Sequence, residues 1–309
     1  MNQSYLKTPV ALIIFNRPDS TEKVFESIRQ AKPQKLFVIA DGPRLDKPGE
    51  AEKCAATRTI IEQVDWDCEV IKNYSDVNLG CGKRPATGIS WVFDQVEEAI
   101  ILEDDCLPHP TFFRFCEELL EKYRDEPQVM GICGSNYKMG DPSYSYYFSR
   151  YFICWGWATW RRAWCHFDYE MKRWPEIAET DWLDKFLQDK RIVEDWTMKF
   201  NKAYHGSSRS FAWSYQLQFA CWLQNALVVR PNGNLVSNLG FGAEATHTTD
   251  SSSSYAVLPF ELISFPLEHP QTVVRDVKAD NLIHQDWLRQ KSRIYRAYKK
   301  IRKILSNKL

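Results

Sequence analysis

Ala99-Ile100-Ile101-Leu102-Glu103-Asp104-Asp105-Cys106-Leu107-Pro108 is an apolar strand that runs into three consecutive acids and stops at a proline. Carboxylates crowded at the end of a buried strand repel one another and cost stability unless a cation neutralises them. Hard oxygen donors in that position suit Mg²⁺ or Mn²⁺. They also suit an acidic turn in which Asp105 caps the helix that follows. On the triplet alone both readings stay open.

Working outward, residues 10–15 (Val-Ala-Leu-Ile-Ile-Phe) form a continuous apolar run, the pattern of a strand covered on both faces. It ends at Asn16-Arg17-Pro18-Asp19-Ser20, where Asp19 or Ser20 is expected to cap a helix reaching Arg29. Residues 35–40 are a second strand, ending at Asp41-Gly42, and residues 68–73 a third, with a helix over 49–64 between them. Residues 78–84 (Asn-Leu-Gly-Cys-Gly-Lys-Arg) read as a loop, 87–95 as a helix, 99–102 as the fourth strand and 111–124 as a helix. Alternating strands and helices predict a mostly parallel α/β sheet with helices on both faces. In such sheets ligands bind where the strands' carboxyl ends open into loops, and here those ends carry Arg17, Asp41 and Asp105.

The second half is rich in tryptophan: Trp155, Trp157, Trp160, Trp164, Trp174, Trp182, Trp196, Trp213 and Trp222. An indole offers a flat apolar face to a sugar ring and an N–H donor, but it also fills a core. Residues 227–231 read as a late strand, followed by a glycine-rich stretch at 238–242 and a Ser251–Ser254 patch that reads as a mobile loop or lid. Forty basic and forty acidic side chains cancel, so nothing in the global charge argues for nucleic acid. The nine cysteines form no CxxC pair, which suits reduced thiols in a cytoplasm. Neither a signal peptide nor a run long enough to span a bilayer is visible. Residues 289–309 hold nine Lys or Arg and no acid, with Ile294, Tyr298, Ile301 and Leu305 at helical spacing. Such a helix either lies on an anionic membrane surface or packs its apolar stripe on the domain.

These landmarks together resemble the GT-A nucleotide-sugar glycosyltransferases, most of all bacterial family-2-like enzymes and the N-acetylglucosaminyltransferase I group. The resemblance rests on Ile14-Phe15-Asn16-Arg17-Pro18, Ala40-Asp41-Gly42, Leu102-Glu103-Asp104-Asp105 with Pro110-Thr111-Phe112-Phe113 behind it, Trp155-Gly156-Trp157-Ala158-Thr159-Trp160, and residues 238–248. It runs to about His247. It implies one Rossmann-like GT-A domain, with a donor-binding half at 1–125, an acceptor half at 126–260 and a C-terminal extension at 261–309. By position, Asp105 would bind Mn²⁺ or Mg²⁺, and Glu103 and Asp104 would contact ribose or metal-bound water. Arg17, Asp41 and Gly42 would hold base and ribose, Lys83 and Arg84 the phosphates, and His247 would add a late metal or diphosphate contact. Trp155, Trp157 and Trp213 would stack on the acceptor or the transferred sugar.

An inverting transfer needs a base for the acceptor hydroxyl. Relatives carry an acid after the tryptophan of a Trp-Asp-Tyr-Gln-like segment, whereas this chain reads Trp213-Ser214-Tyr215-Gln216. Ser214 cannot serve as base at neutral pH, so Glu194 or Asp195 becomes the candidate. The resemblance thus implies a metal-dependent, inverting transfer from a nucleotide-sugar, UDP-linked, to a glycan or lipid-linked acceptor. Such an enzyme would be cytoplasmic and peripheral at the inner face of the plasma membrane. Two rivals remain. A sugar-phosphate nucleotidyltransferase should carry a glycine-rich loop after the first strand, and Asn16-Arg17-Pro18-Asp19 lacks glycine. A catalytically silent nucleotide-sugar or glycan-binding protein would be consistent with Ser214.

Overall fold

The computed structural model describes residues 5–136, 140–206, 212–240 and 258–288. Its centre is an eight-stranded sheet in the order β3-β2-β1-β4-β8-β6-β9-β7. The strands are β1 (Val10–Ile14), β2 (Lys35–Ala40), β3 (Glu69–Tyr74), β4 (Glu98–Glu103), β6 (Val129–Cys133), β7 (Tyr146–Ser149), β8 (Trp157–Trp160) and β9 (Leu227–Pro231). A separate two-stranded ladder pairs β5 (Cys106–Pro108) with β10 (Val236–Asn238). β1 to β4 are mutually parallel, and β8 enters antiparallel between β4 and β6. The α/β class with a mostly parallel first half and helices on both faces is as expected.

Both faces of β1, β2 and β4 are covered, and alternation along each strand divides its residues between two cores. Val10, Leu12 and Ile14 pack on one side with Leu36, Val38, Ile100 and Leu102, under Val24, Phe25 and Ile28 of helix Pro18–Ala31 and the phenylalanines of helix Pro110–Lys122. Ala11 and Ile13 pack on the other with Phe37, Ile39 and Ile101, under Ala86 and Ile89 of helix Gly80–Phe93. That helix lies so close to β2 that a Cβ at Gly88 would sit 2.4 Å from Ile39 Cγ2. A third core, built around Trp174, Trp196, Phe200 and Trp222, joins helices Lys190–His205 and Ser214–Leu223 to the helical segment 277–288. Most of the tryptophans of the second half are therefore core. All nine cysteines are free thiols, five of them buried. Among the described residues no helix is long and apolar enough to cross a membrane.

Three local expectations are corrected. The first helix starts at Pro18, so Asp19 and Ser20 lie inside it. Its N-cap is Arg17, whose side chain makes no capping bond. The stretch 78–84 is not all loop, because the helix begins at Gly80 (φ 83°), where a carboxylate from β2's end meets its first amides. Asp105 caps no helix: His109 is the N-cap of Pro110–Lys122, its Nδ1 accepting the Thr111 N–H, and β5 intervenes. His247, the Ser251–Ser254 patch and residues 289–309 lie outside the described residues.

Candidate active site

Register brings the site together. Ile14 pairs with Ala40 and Ile13 with Glu103, so the turns after β1, β2 and β4 open side by side at one edge of the sheet. They line one cavity of about 1160 Å³, whose wall includes Arg17, Asp41, Arg84, Glu103, Asp104 and Asp105.

After β1 the chain turns so that the Phe15 N–H donates to Asp104 Oδ2 at 3.0 Å. Arg17 then reaches across the strand ends. Its Nη1 lies 3.0 Å from Asp104 Oδ1 and 2.7 Å from Asp105 Oδ2. Burial alone would lower the guanidinium's pKa, but the charges of Asp104 and Asp105 outweigh it and leave it raised. Burial pushes the Glu103 carboxyl up, and Asp105 and Asp104 push it further; Trp213 pulls the other way by donating a hydrogen bond to it. Burial also raises Asp104, against the pull of Arg17. The cation that stands against the two aspartates is Arg17.

Asp41 is almost fully buried and its carboxylate is saturated. Oδ1 accepts the Leu79 N–H at 2.8 Å and the Gly42 N–H at 3.0 Å. Oδ2 accepts the Gly80 N–H at 2.8 Å and Asn78 Nδ2 at 3.1 Å. It therefore anchors the N-terminus of helix Gly80–Phe93, where a negative charge is favoured. Gly42 is needed for the same packing, since a Cβ there would lie 2.6 Å from the Val77 backbone. Arg84 also acts as a strut: Nε donates to the Ala40 carbonyl at 3.0 Å, and Nη2 to Asn73 through its carbonyl and its Oδ1. Lys83 is exposed and does not line the cavity. Of the two residues that the resemblance assigns to the phosphates, Arg84 lines the cavity while it braces β2 and β3, and Lys83 lies outside the lining.

The cavity is also lined by aromatic rings, those of Phe152, Trp155, Trp213, Tyr215, Trp196 and Trp287, with Ser214 and Lys199 among them. Trp155 is half-buried and can present a face to a ligand. Trp157 cannot, because it is fully enclosed between Phe152 and Trp213, with ring centroids 5.0 and 5.5 Å away. Trp213 is also nearly buried and meets the site through its bond to Glu103. Glu194 faces solvent, which removes it as a base. Asp195 is buried, 3.0 Å from Lys199 Nζ, and stands behind the wall that Lys199 lines. Tyr215, Lys199 and Trp287 were not singled out by the sequence as site residues, and Trp196 was named only among the tryptophans that either face a sugar or fill a core. Their helical spacing carries a core signal, and only packing turns one edge of that core toward a cavity.

Among the described residues no three His, Cys, Asp or Glu side chains are arranged to hold a metal ion together. Mg²⁺, however, is commonly held by one or two carboxylates together with a ligand's phosphates and water. One feature suits that mode: the Arg17 guanidinium already stands as a cation between Asp104 and Asp105. Gly240 packs so closely over Asp105 that a Cβ there would fall 2.1 Å from Oδ2. Among the described residues the cavity wall carries six carboxylates and four cationic side chains.

The fold and site are those of a Rossmann-like α/β domain with a polar cavity at the carboxyl edge of its sheet. No family model matches the chain, and no curated protein matches it. Among solved structures, a UDP-glucose pyrophosphorylase complexed with UDP-glucose is similar at 13% identity and a TM-score of 0.24, over 42% of this chain and 64% of that one. This chain thus covers less than two thirds of that protein, and a likeness so slight assigns no activity.

Proposed function

We propose that the cavity binds a nucleotide-sugar and that the protein transfers the sugar to a hydroxyl of a glycan or lipid-linked acceptor. The observation that carries this reading is one cavity of about 1160 Å³ joining the Arg17–Asp104–Asp105 cluster to an aromatic wall containing Trp155. Its volume lies at the upper end of small-molecule sites, as a nucleoside diphosphate with a sugar attached requires. The polar end suits the diphosphate, and the aromatic wall suits a sugar face.

In the transfer, the acceptor oxygen forms a bond to the anomeric carbon as the bond to the diphosphate oxygen breaks. The electron pair leaves with the nucleoside diphosphate, and the hydroxyl proton passes to a carboxylate. Attack opposite the leaving group inverts the anomeric centre. A divalent cation held by Asp105 and Asp104 would stabilise charge on the departing diphosphate. Arg17 supplies a second positive group at the same end. Asp41 and Arg84 keep the strand ends in register around the ligand. Because Asp195 lies behind the wall and Asp104 and Asp105 would hold the cation, Glu103 is left as the carboxylate to take the proton.

Calorimetric titration of nucleoside diphosphates and nucleotide-sugars, with Mn²⁺ or EDTA, tests the binding step. Product analysis then separates the rivals. Release of a nucleoside diphosphate supports transfer, pyrophosphate exchange points to a nucleotidyltransferase, and binding with neither points to a silent binding protein. No binding of any nucleotide overturns the reading.

A further inference from the structure

We propose that Arg17 is an exchangeable counter-ion, which neutralises Asp104 and Asp105 in the empty site and passes to the diphosphate when metal and nucleotide enter together. The inference rests on the proposed function and adds an order to binding: divalent metal binds poorly by itself and well only with the nucleotide.

The geometry supplies each part. One guanidinium nitrogen, Nη1, contacts both Asp104 and Asp105 from the cavity wall, at 3.0 and 2.7 Å. A divalent cation entering between those carboxylates meets a positive group in its place, so metal binding must first displace Arg17. Protein donors alone reward that displacement little, because no three ligating side chains are arranged together among the described residues. A nucleotide changes the balance in two ways. Its phosphate oxygens complete the metal's coordination, and they offer the displaced guanidinium a new anion in bidentate geometry. Phosphate without metal is disfavoured too, since Arg17 is held by two of the acids and, among the described residues, six wall carboxylates stand with four cations. Metal and nucleotide therefore each lower the cost of the other, and by linkage the coupling is reciprocal. The Arg17 side chain is only a quarter exposed, and Pro18 starts its helix directly behind it. The exchange therefore needs rotation of the side chain and no movement of the backbone.

The test is Mn²⁺ binding followed by electron paramagnetic resonance, with and without UDP, on wild type, Arg17→Gln and Arg17→Lys. Wild type is expected to bind Mn²⁺ weakly alone and at least about tenfold more tightly with UDP, the range of a typical coupling energy. Arg17→Gln is expected to bind Mn²⁺ alone more tightly than wild type and UDP–Mn²⁺ less tightly, and Arg17→Lys to fall between them. These opposite signs set an exchanged counter-ion apart from a purely structural arginine, whose loss would weaken both. Equal or weaker metal-only binding by Arg17→Gln, with its melting temperature unchanged, overturns the exchange while leaving nucleotide binding intact. Should Arg17→Gln melt early, the wild-type coupling between Mn²⁺ and UDP decides alone, and independent binding of the two overturns the proposal. If wild type binds no nucleoside diphosphate under any condition, the proposed function fails with it.

Discussion

The Gly80 N–H donates to Asp41 Oδ2 at 2.8 Å, tying the end of β2 to the first turn of helix Gly80–Phe93, 39 residues further along the chain. The acid that follows the second strand is thus already committed to the fold. Asp41→Ala would strip four donors of their partner inside a nearly closed pocket. It is expected to destabilise the protein by about 2–4 kcal/mol, the combined loss of a helix-end anchor and of buried hydrogen bonds. Urea denaturation measures it. A stability change below about 0.5 kcal/mol, together with lost nucleotide affinity, would return Asp41 to the role of a direct ligand.

Gly240 should tolerate no side chain. Alanine there places a Cβ 2.1 Å from Asp105 Oδ2. Since the 238–240 turn covers Asp105 and takes no part in the main sheet, the strain should fall on the site. Gly240→Ala is expected to lower UDP–Mn²⁺ affinity by about tenfold or more and to shift the melting temperature by only about 2–4 °C. Calorimetry on the folded variant checks the first value and a thermal melt the second.

The two tryptophans separated by Gly156 should part company. Trp157→Ala removes a fully buried ring and is expected to cost about 3–5 kcal/mol. Trp155→Ala removes a half-buried ring on the cavity wall. It should cost far less stability and weaken binding or turnover instead. Paired denaturation and activity curves distinguish them, and equal losses of stability would refute Trp155 as a platform.

Acid should loosen the third core through His284. Burial, with a smaller contribution from the Arg150 charge, pushes this imidazole down to about 4, and its Nε2 has no hydrogen-bond partner. Between pH 6.5 and about 4 the unfolded chain binds a proton that the folded chain refuses, so stability falls as pH falls through that window. The loss approaches about 3 kcal/mol at the acid end. Urea midpoints at pH 7 and pH 5 should differ in wild type and converge in His284→Leu; an undiminished difference in the variant would place the titration elsewhere.

The strands were legible because β1, β2 and β4 are unbroken apolar runs with no competing helical period. Their polar ends were legible because acids and an arginine directly after such runs have nowhere to go but the sheet's edge. The mistaken start at 78–84 had a physical cause. Gly80 and Gly82 read as loop until the Asp41 carboxylate, distant in sequence, supplies the anion that holds the first helical amides. Trp155 and Trp157 are indistinguishable by composition, and they separate because Trp157 opens β8 while Trp155 precedes the strand across Gly156, whose φ of 62° turns the chain.

By itself the sequence determined the α/β class, the positions of the parallel strands and the convergence of Arg17, Asp41 and the 103–105 acids at one edge, since hydrophobic periodicity and chain order suffice for these. Only the tertiary structure decided what each charge does. Arg17 and Asp104 lie 87 residues apart in the chain yet share a hydrogen bond, Asp41 is consumed by backbone amides, and Asp195 stands behind Lys199. Electrostatic and hydrogen-bond partnerships act over a few ångströms of space, a distance that the order of residues along the chain does not encode.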